Sequence, residues 1–423
     1  MRAALVAIGD EIVGGLTVDT NSAWISGEIR AVGVQPACGF AVVDDEDDIV
    51  RALGQALDEA DVVISTGGLG PTSDDLTTAC AARLAGVGLR LDEHSLALME
   101  ERFRSRGIPM PESNRKQAML PDGAEIVPNP SGTAPGFILP VTRGGRTGHV
   151  ICLPGVPREM RRMVRETVVP WLAARNPGTR FLSRTFSTFG LSESRLGEVL
   201  DGVAGDDGAR LAYRAAFPRV QARLTVQGAP ADDLEGRLDA LELRVRKRLG
   251  AYLYATGDTG MEHVVGDLLR DLMLTLAVAE SCTGGRIGDR ITDVPGSSEY
   301  FLLGVATYSN AAKSGVLGVS EDTLATHGAV STRTAEEMAE GVRRLAGADV
   351  GLSTTGIAGP GGGTEDKPVG TVCIGLAWEG GAWSHRYELG DRGREWVKGL
   401  TTQIALDRVR RWLLDAEPVV ELR

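Results

Sequence analysis

Leu274-Thr275-Leu276-Ala277-Val278-Ala279-Glu280-Ser281-Cys282-Thr283-Gly284-Gly285 reads as a buried strand running into a polar cluster and paired glycines. A strand that becomes a helix through such a turn is where α/β proteins hold ligands. Adjacent glycines also free backbone N–H groups to face an oxyanion, although the run taken alone reads equally as a helix cap and a glycine turn. The same logic recurs upstream. Asp61-Val62-Val63-Ile64-Ser65 leads into Thr66-Gly67-Gly68-Leu69-Gly70-Pro71-Thr72-Ser73-Asp74-Asp75-Leu76-Thr77, a strand, a glycine loop and a helix start. Together the two stretches predict an α/β protein: two three-layer α/β/α domains joined by a small α+β module.

Working outward, the first part alternates short apolar runs with helical patterns. Strands are expected at 3–8, 34–43, 61–65 and 149–153. Helices are expected at 20–30 (capped by Thr20 or Asn21), 47–59, 92–106 and 156–174. Asn176-Pro177-Gly178 and Thr256-Gly257-Asp258-Thr259-Gly260 read as linkers. They bound domains at 1–173, 174–257 and 258–423. The middle module is expected to hold strands at 184–189 and 220–226 and helices at 192–200 and 234–249.

Composition narrows the function classes. The chain has 423 residues with 55 glycines, about twice the usual ~7%. Its 45 Lys and Arg against 57 Asp and Glu give a net charge of -12, and no basic tract favours a nucleic-acid or anionic-membrane partner. No apolar run approaches a membrane span, and Asp10 and Glu11 interrupt the first strand too early for a signal peptide. Five scattered cysteines, with no metal spacing, point to reduced thiols and a cytoplasmic location.

Chemistry in the last domain gathers in three motifs. Beside Ser281 stand Tyr308-Ser309-Asn310-Ala311-Ala312-Lys313, where a strand-like run over 300–309 meets a helix, and the glycine-rich stretch Thr355-Gly356-Ile357-Ala358-Gly359-Pro360-Gly361-Gly362. A serine, a tyrosine and a lysine together can hydrolyse a carbonyl derivative. A neutral lysine or a tyrosinate takes the serine proton, and the serine attacks. Cys282 is the better nucleophile in principle, but these motifs hold no histidine to activate it, and it reads as a buried structural thiol.

Those three motifs resemble the C-terminal domain of the CinA, or competence/damage-inducible, family, a nicotinamide mononucleotide deamidase. The resemblance implies Ser281 as nucleophile with Tyr308 and Lys313 assisting, and no cofactor. It implies nicotinamide-nucleotide contacts from Thr283, Gly284, Gly285, Asn310, Thr355, Gly356, Gly359, Gly361 and Gly362.

In the first domain, Asp74 and Asp75 would repel a phosphate cradled by the glycine loop unless a divalent cation bridged the two. Further polar clusters fall at strand ends of the same sheet: Gly9-Asp10-Glu11, Asp44-Asp45, 129–136 and 153–160. Thr66-Gly67-Gly68-Leu69-Gly70-Pro71 with Asp75 resembles the molybdopterin-binding-like (MoaB/MogA-type) domain of the same family. That implies metal-dependent hydrolysis of ADP-ribose to AMP and ribose 5-phosphate. The pyrophosphate or nucleotide contacts are then expected from Thr66, Gly67, Gly68, Gly70, Asn129, Gly132, Thr133, Pro154, Gly155 and Glu159. A Mg²⁺-like ion is expected on Asp10, Glu11, Asp45, Asp74 and Asp75.

The family's middle module is KH-like. Here it has no Gly-x-x-Gly clamp in its helical hairpin and only a small basic excess, 13 Lys and Arg against 10 Asp and Glu over 174–257, so it is expected to serve as a spacer or dimer contact rather than to bind RNA. The whole chain is thus expected to be a cytoplasmic homodimer acting on nicotinamide mononucleotide and on ADP-ribose or a related nucleotide. Two other readings stay open at this point: a molybdopterin-handling protein, and a regulatory scaffold with inert nucleotide pockets.

Overall fold

The computed structural model describes residues 1–178, 180–205, 208–229 and 231–419. The fold is mixed α/β and divides into two compact units, 1–182 with 226–234 and 183–225 with 235–423.

The first unit is built on strands β1 (Arg2–Ile8), β2 (Gln35–Val42), β3 (Val62–Thr66), β4 (Glu125–Val127), β5 (Gly136–Arg143) and β6 (Arg146–Leu153), in the sheet order β2-β1-β3-β6-β5-β4. β1 runs parallel to β2 and β3, and β3 parallel to β6, while β4 and β5 form the antiparallel edge. Helices α1 (Thr20–Ala31), α2 (Glu46–Glu59), α3 (Thr77–Ala85), α4 (Glu93–Ser105) and α5 (Pro157–Met163) accompany it. A strand sends alternate side chains to opposite faces. On β1, Ala4, Val6 and Ile8 join Ile49 and Leu53 of α2, whereas Ala3 and Leu5 join Ile25 and Ile29 of α1 and Met160 of α5. One strand therefore feeds two cores, as a three-layer sandwich requires.

Helix starts shift slightly from expectation. Asp19, not Thr20 or Asn21, caps α1 by accepting from the Ser22 amide at 2.9 Å. Asn21 instead donates to the Gly155 carbonyl at 2.7 Å.

In the second unit, β7 (Arg180–Thr188), α6 (Glu193–Leu200), β8 (Arg210–Ala216), β9 (Arg219–Gly228), α7 (Leu234–Leu249) and β10 (Leu253–Thr256) make a four-stranded sheet in the order β8-β9-β7-β10 with two helices. β8 has no counterpart in the sequence reading. It is an edge strand whose alternation is faint, since Leu211 and Tyr213 are only half-buried and none of its side chains is fully buried.

The chain continues as α8 (Met261–Asp271), β11 (Leu276–Glu280), α9 (Arg286–Thr292), β12 (Phe301–Ala306), α10 (Asn310–Leu317), α11 (Thr332–Ala346), β13 (Val350–Gly356), β14 (Thr371–Trp378), β15 (Gly381–Glu388) and α12 (Arg394–Leu413). The sheet order is β12-β11-β13-β14-β15. β11 repeats the division seen on β1. Leu276 and Val278 pack with Ile404 of α12, and Ala277 and Ala279 with Met338 and Val342 of α11. β12 ends before the expected residue 309 because Ser309 caps α10, accepting from the Ala312 amide at 3.1 Å.

Residues 256–260, expected as a linker, join segments that share a core: Phe189, Tyr254 and Ala255 pack in one cluster with Met261, Leu276 and Val409. Arg410, 1% exposed, pairs with Asp407 and donates to the Ala251 carbonyl at 2.6 Å. Among the described residues no helix is long and apolar enough to cross a membrane.

Candidate functional site

In the second unit β11 lies between β12 and β13, so the chain leaves the sheet in opposite directions at its carboxyl end and opens a crevice there. A cavity of about 270 Å³ fills the crevice. Of the expected residues it is lined by Ser281, Tyr308, Lys313, Asn310, Thr355, Gly356, Gly359, Gly361 and Gly362, with Cys282 beside them.

Lys313 is the unusual member. It projects from the first turn of α10, is 1% exposed, and forms no ion pair among the described residues. Its Nζ lies 3.1 Å from Ser281 Oγ and 2.9 Å from the Thr307 carbonyl oxygen. Burial holds its pKa below the ordinary lysine value, against a smaller opposing influence of Cys282. Nζ donates to both oxygens here, and a neutral amine could keep its bond to Thr307 while turning its lone pair to the Ser281 hydroxyl. Burial pushes the neighbouring Cys282 thiol up to about 12, which leaves it protonated and a poor nucleophile at neutral pH.

Thr283, Gly284 and Gly285 lie outside the cavity lining. The Thr283 hydroxyl bonds that of Thr354 at 2.7 Å in the core. The Gly285 amide, expected to face a ligand, donates to Glu280 instead. That buried carboxylate accepts from the amides of Gly285 (3.0 Å), Ile287 (3.1 Å) and Gly288 (2.9 Å), so the protein's own side chain satisfies the start of α9. Glu280→Ala should leave three amides unpaired and lower stability by about 2–4 kcal/mol. Urea unfolding reads this directly, and an unchanged midpoint would refute the capping role.

Three lining residues, Ala329, Val330 and Arg394, have no place in the sequence reading, and the last is charged. Arg394, at the start of α12, donates to the Tyr308 hydroxyl at 2.8 Å and to the Gly359 carbonyl at 2.9 Å. It ties the tyrosine to the glycine loop and brings a guanidinium to the crevice. Ala329, Val330, Ile357 and Ala358 complete the wall.

The first unit repeats the arrangement. β1 lies between β2 and β3, and a cavity of about 560 Å³ opens at their carboxyl ends. Thr66, Gly67, Gly68, Gly70, Thr133, Pro154, Gly155 and Glu159 line it, with Glu11, Asp44, Asp74 and Asp75. Gly67 (φ 107°) and Gly68 (φ 65°) take left-handed backbone, and a methyl on either would strike the Ile8 carbonyl or the Thr77 hydroxyl. Asn129 and Gly132 stand behind the lining. Asn129 donates to Glu159 Oε2 and to the Ala134 carbonyl, both at 2.8 Å, and accepts from the Gly132 amide at 2.7 Å, which shapes the loop carrying Thr133.

The five expected metal ligands do not converge. Asp45 caps α2, accepting from the Asp47 and Asp48 amides at 3.0 and 3.1 Å, because its extended backbone turns its oxygen back onto the helix. Asp75 accepts from the Gly70 and Thr72 amides at 2.6 and 2.8 Å, so it holds the glycine loop closed. Asp10 and Asp44 exchange backbone-to-carboxylate bonds at 3.0 and 3.1 Å. Among the described residues no three acidic, histidine or cysteine side chains meet closely enough to hold an ion by themselves. Glu11, Asp44 and Asp74 remain directed at the cavity. Burial, then the nearby charges of Asp10, Glu11 and Asp74, raise the pKa of Asp44 despite the Asp10 amide. Such crowding of like charge suits a Mg²⁺-type ion that takes one or two carboxylates and completes its shell with water and phosphate oxygens.

Comparison with known proteins covers the same ground. The family described as probable molybdopterin binding domain matches residues 4–174, the damage-inducible protein CinA KH domain matches 183–255, and the CinA C-terminal domain matches 258–413. CinA-like proteins of Desulfosudis oleivorans and Geobacter metallireducens are each 44% identical, over 420 and 417 residues. Both alignments cover 98% of this chain and 100% of the relative. A crystal structure of a CinA protein from Thermoplasma acidophilum is 39% identical, with a TM-score of 0.36, and covers 40% of this chain and 97% of its own. With its three family domains in order and relatives of this identity along nearly its whole length, the chain belongs to the CinA family.

Proposed function

We propose that the second unit deamidates nicotinamide mononucleotide, and that the first hydrolyses ADP-ribose or a related pyrophosphate with the help of a divalent ion. The observation that carries the first half is the buried Lys313 amine, without an ion pair among the described residues, 3.1 Å from Ser281 Oγ. Lys313 takes the serine proton as Oγ bonds to the carboxamide carbon. It returns that proton to the nitrogen as the C–N bond breaks and ammonia leaves. Water, deprotonated in turn, then splits the ester to nicotinate mononucleotide and free serine. Arg394 supplies positive charge for the phosphate end of the substrate. At the other site Glu11, Asp44 and Asp74 would hold the ion, whose chemistry is to polarise the pyrophosphate, while the glycine loop 67–70 presents backbone N–H groups to it.

The test is ammonia release from nicotinamide mononucleotide across pH. The base must be neutral, so turnover should fall as pH drops through the lowered Lys313 pKa and level off above it. Lys313→Arg puts a permanently protonated group where the neutral amine is needed, and should cost roughly 10²–10⁴-fold in turnover with nucleotide binding retained. Normal turnover in that variant, or a flat acid limb, would rule out the lysine base.

A further inference from the structure

The middle module and the C-terminal crevice belong to the same compact unit, and one side chain of the module reaches the helix that carries Arg394. β8 and β9 are joined at Phe217-Pro218. Phe217 is 51% exposed, so its own module does not bury it. Its ring stacks on Trp396, with centroids 5.0 Å apart and planes 23° apart. The face of α12 beneath it is bare: a methyl at Gly399 would sit 3.6 Å from the Phe217 ring.

The first turn of α12 is gripped from further directions. Arg392 lies 5.0 Å from the Trp396 ring centroid. Arg286 donates to the Glu395 carbonyl at 3.3 Å and to its carboxylate at 2.5 Å. Arg394 leaves this clamped turn to meet Tyr308 and Gly359. Both of those partners are neutral oxygens, and Arg394 forms no ion pair among the described residues, so its charge is left for an incoming anion.

We propose that Phe217 is a positioning residue: by stacking on Trp396 it fixes the first turn of α12, and through Arg394 it sets the crevice's affinity for a phosphate-bearing sugar. The proposal rests on the deamidase reading for the identity of that anion. It makes the KH-like module a working part of the C-terminal site rather than a spacer.

Equilibrium binding of ribose 5-phosphate to the full chain, followed by calorimetry in EDTA so that the ion-dependent site of the first unit does not contribute, tests it without turnover. An aromatic stack of this kind corresponds to about a 3- to 10-fold change. Phe217→Ala should weaken binding by that factor, and Phe217→Tyr should restore it. In steady state Phe217→Ala should raise KM for nicotinamide mononucleotide by the same factor with kcat unchanged. Nicotinamide riboside, which lacks the phosphate, should be unaffected. Equal ribose 5-phosphate binding by wild type and Phe217→Ala, no binding by wild type, or an equal loss with nicotinamide riboside would each overturn the proposal. If the ribose 5-phosphate pattern holds but no ammonia leaves nicotinamide mononucleotide, the deamidase reading fails and the role of Phe217 stands.

Discussion

Ser281→Ala should release ammonia from nicotinamide mononucleotide at least roughly 10⁴-fold more slowly than the wild type, the scale on which removing a nucleophile acts. The fold should survive. The hydroxyl makes one hydrogen bond, to Lys313 Nζ, and its loss costs about 1 kcal/mol. Cys282→Ala is the matched control, since both residues line the crevice and differ by one position. With its thiol held near 12 by burial, Cys282 should be dispensable for turnover. The reverse pattern, with Ser281→Ala active and Cys282→Ala dead, would transfer the nucleophile to sulfur.

Chelation should separate the two sites. EDTA should stop ADP-ribose hydrolysis by roughly 10³-fold or more, since an ion facing a pyrophosphate contributes several kcal/mol at the transition state. Deamidation should continue, because the serine and lysine need no ion. Two variants then sort the carboxylates. If Asp44 holds the proposed ion, Asp44→Asn should weaken its binding, and activity should return at higher Mg²⁺. Asp75→Asn removes an acceptor from the Gly70 or Thr72 amide and disturbs the loop itself, so added Mg²⁺ should not rescue it. Rescue of Asp75→Asn and not of Asp44→Asn would exchange their roles. Metal-independent cleavage of ADP-ribose would remove the ion from the reading.

How much of this was legible depends on whether the deciding contact is local. Ser281, Tyr308 and Lys313 each stand where a strand gives way to a helix, and that boundary is written in consecutive residues. Their meeting in one crevice rests on β12 and β13 flanking β11, a long-range pairing that two-residue alternation does not encode. Asp44 and Asp45 are indistinguishable by composition, yet the backbone at 45 commits one to a cap and leaves the other at the cavity. Gly285 looks free in sequence because its competitor, Glu280, is five residues earlier and reads as one member of the polar cluster rather than as the cap of the next helix. Arg394 did leave a trace: a cation at the first position of a helix opposes the dipole, so some other partner must hold it there.

The bond from Arg410 to the Ala251 carbonyl bears on where the chain can be divided. A gene cut where the CinA C-terminal match begins, at 258, would produce a protein whose buried guanidinium faces a missing oxygen, together with a core stripped of Phe189, Tyr254 and Ala255. A cut before residue 183 severs neither. Phe189, Tyr254 and Ala255 therefore belong to the packing of the last domain as much as to their own sheet, and a substitution at any of them acts on both.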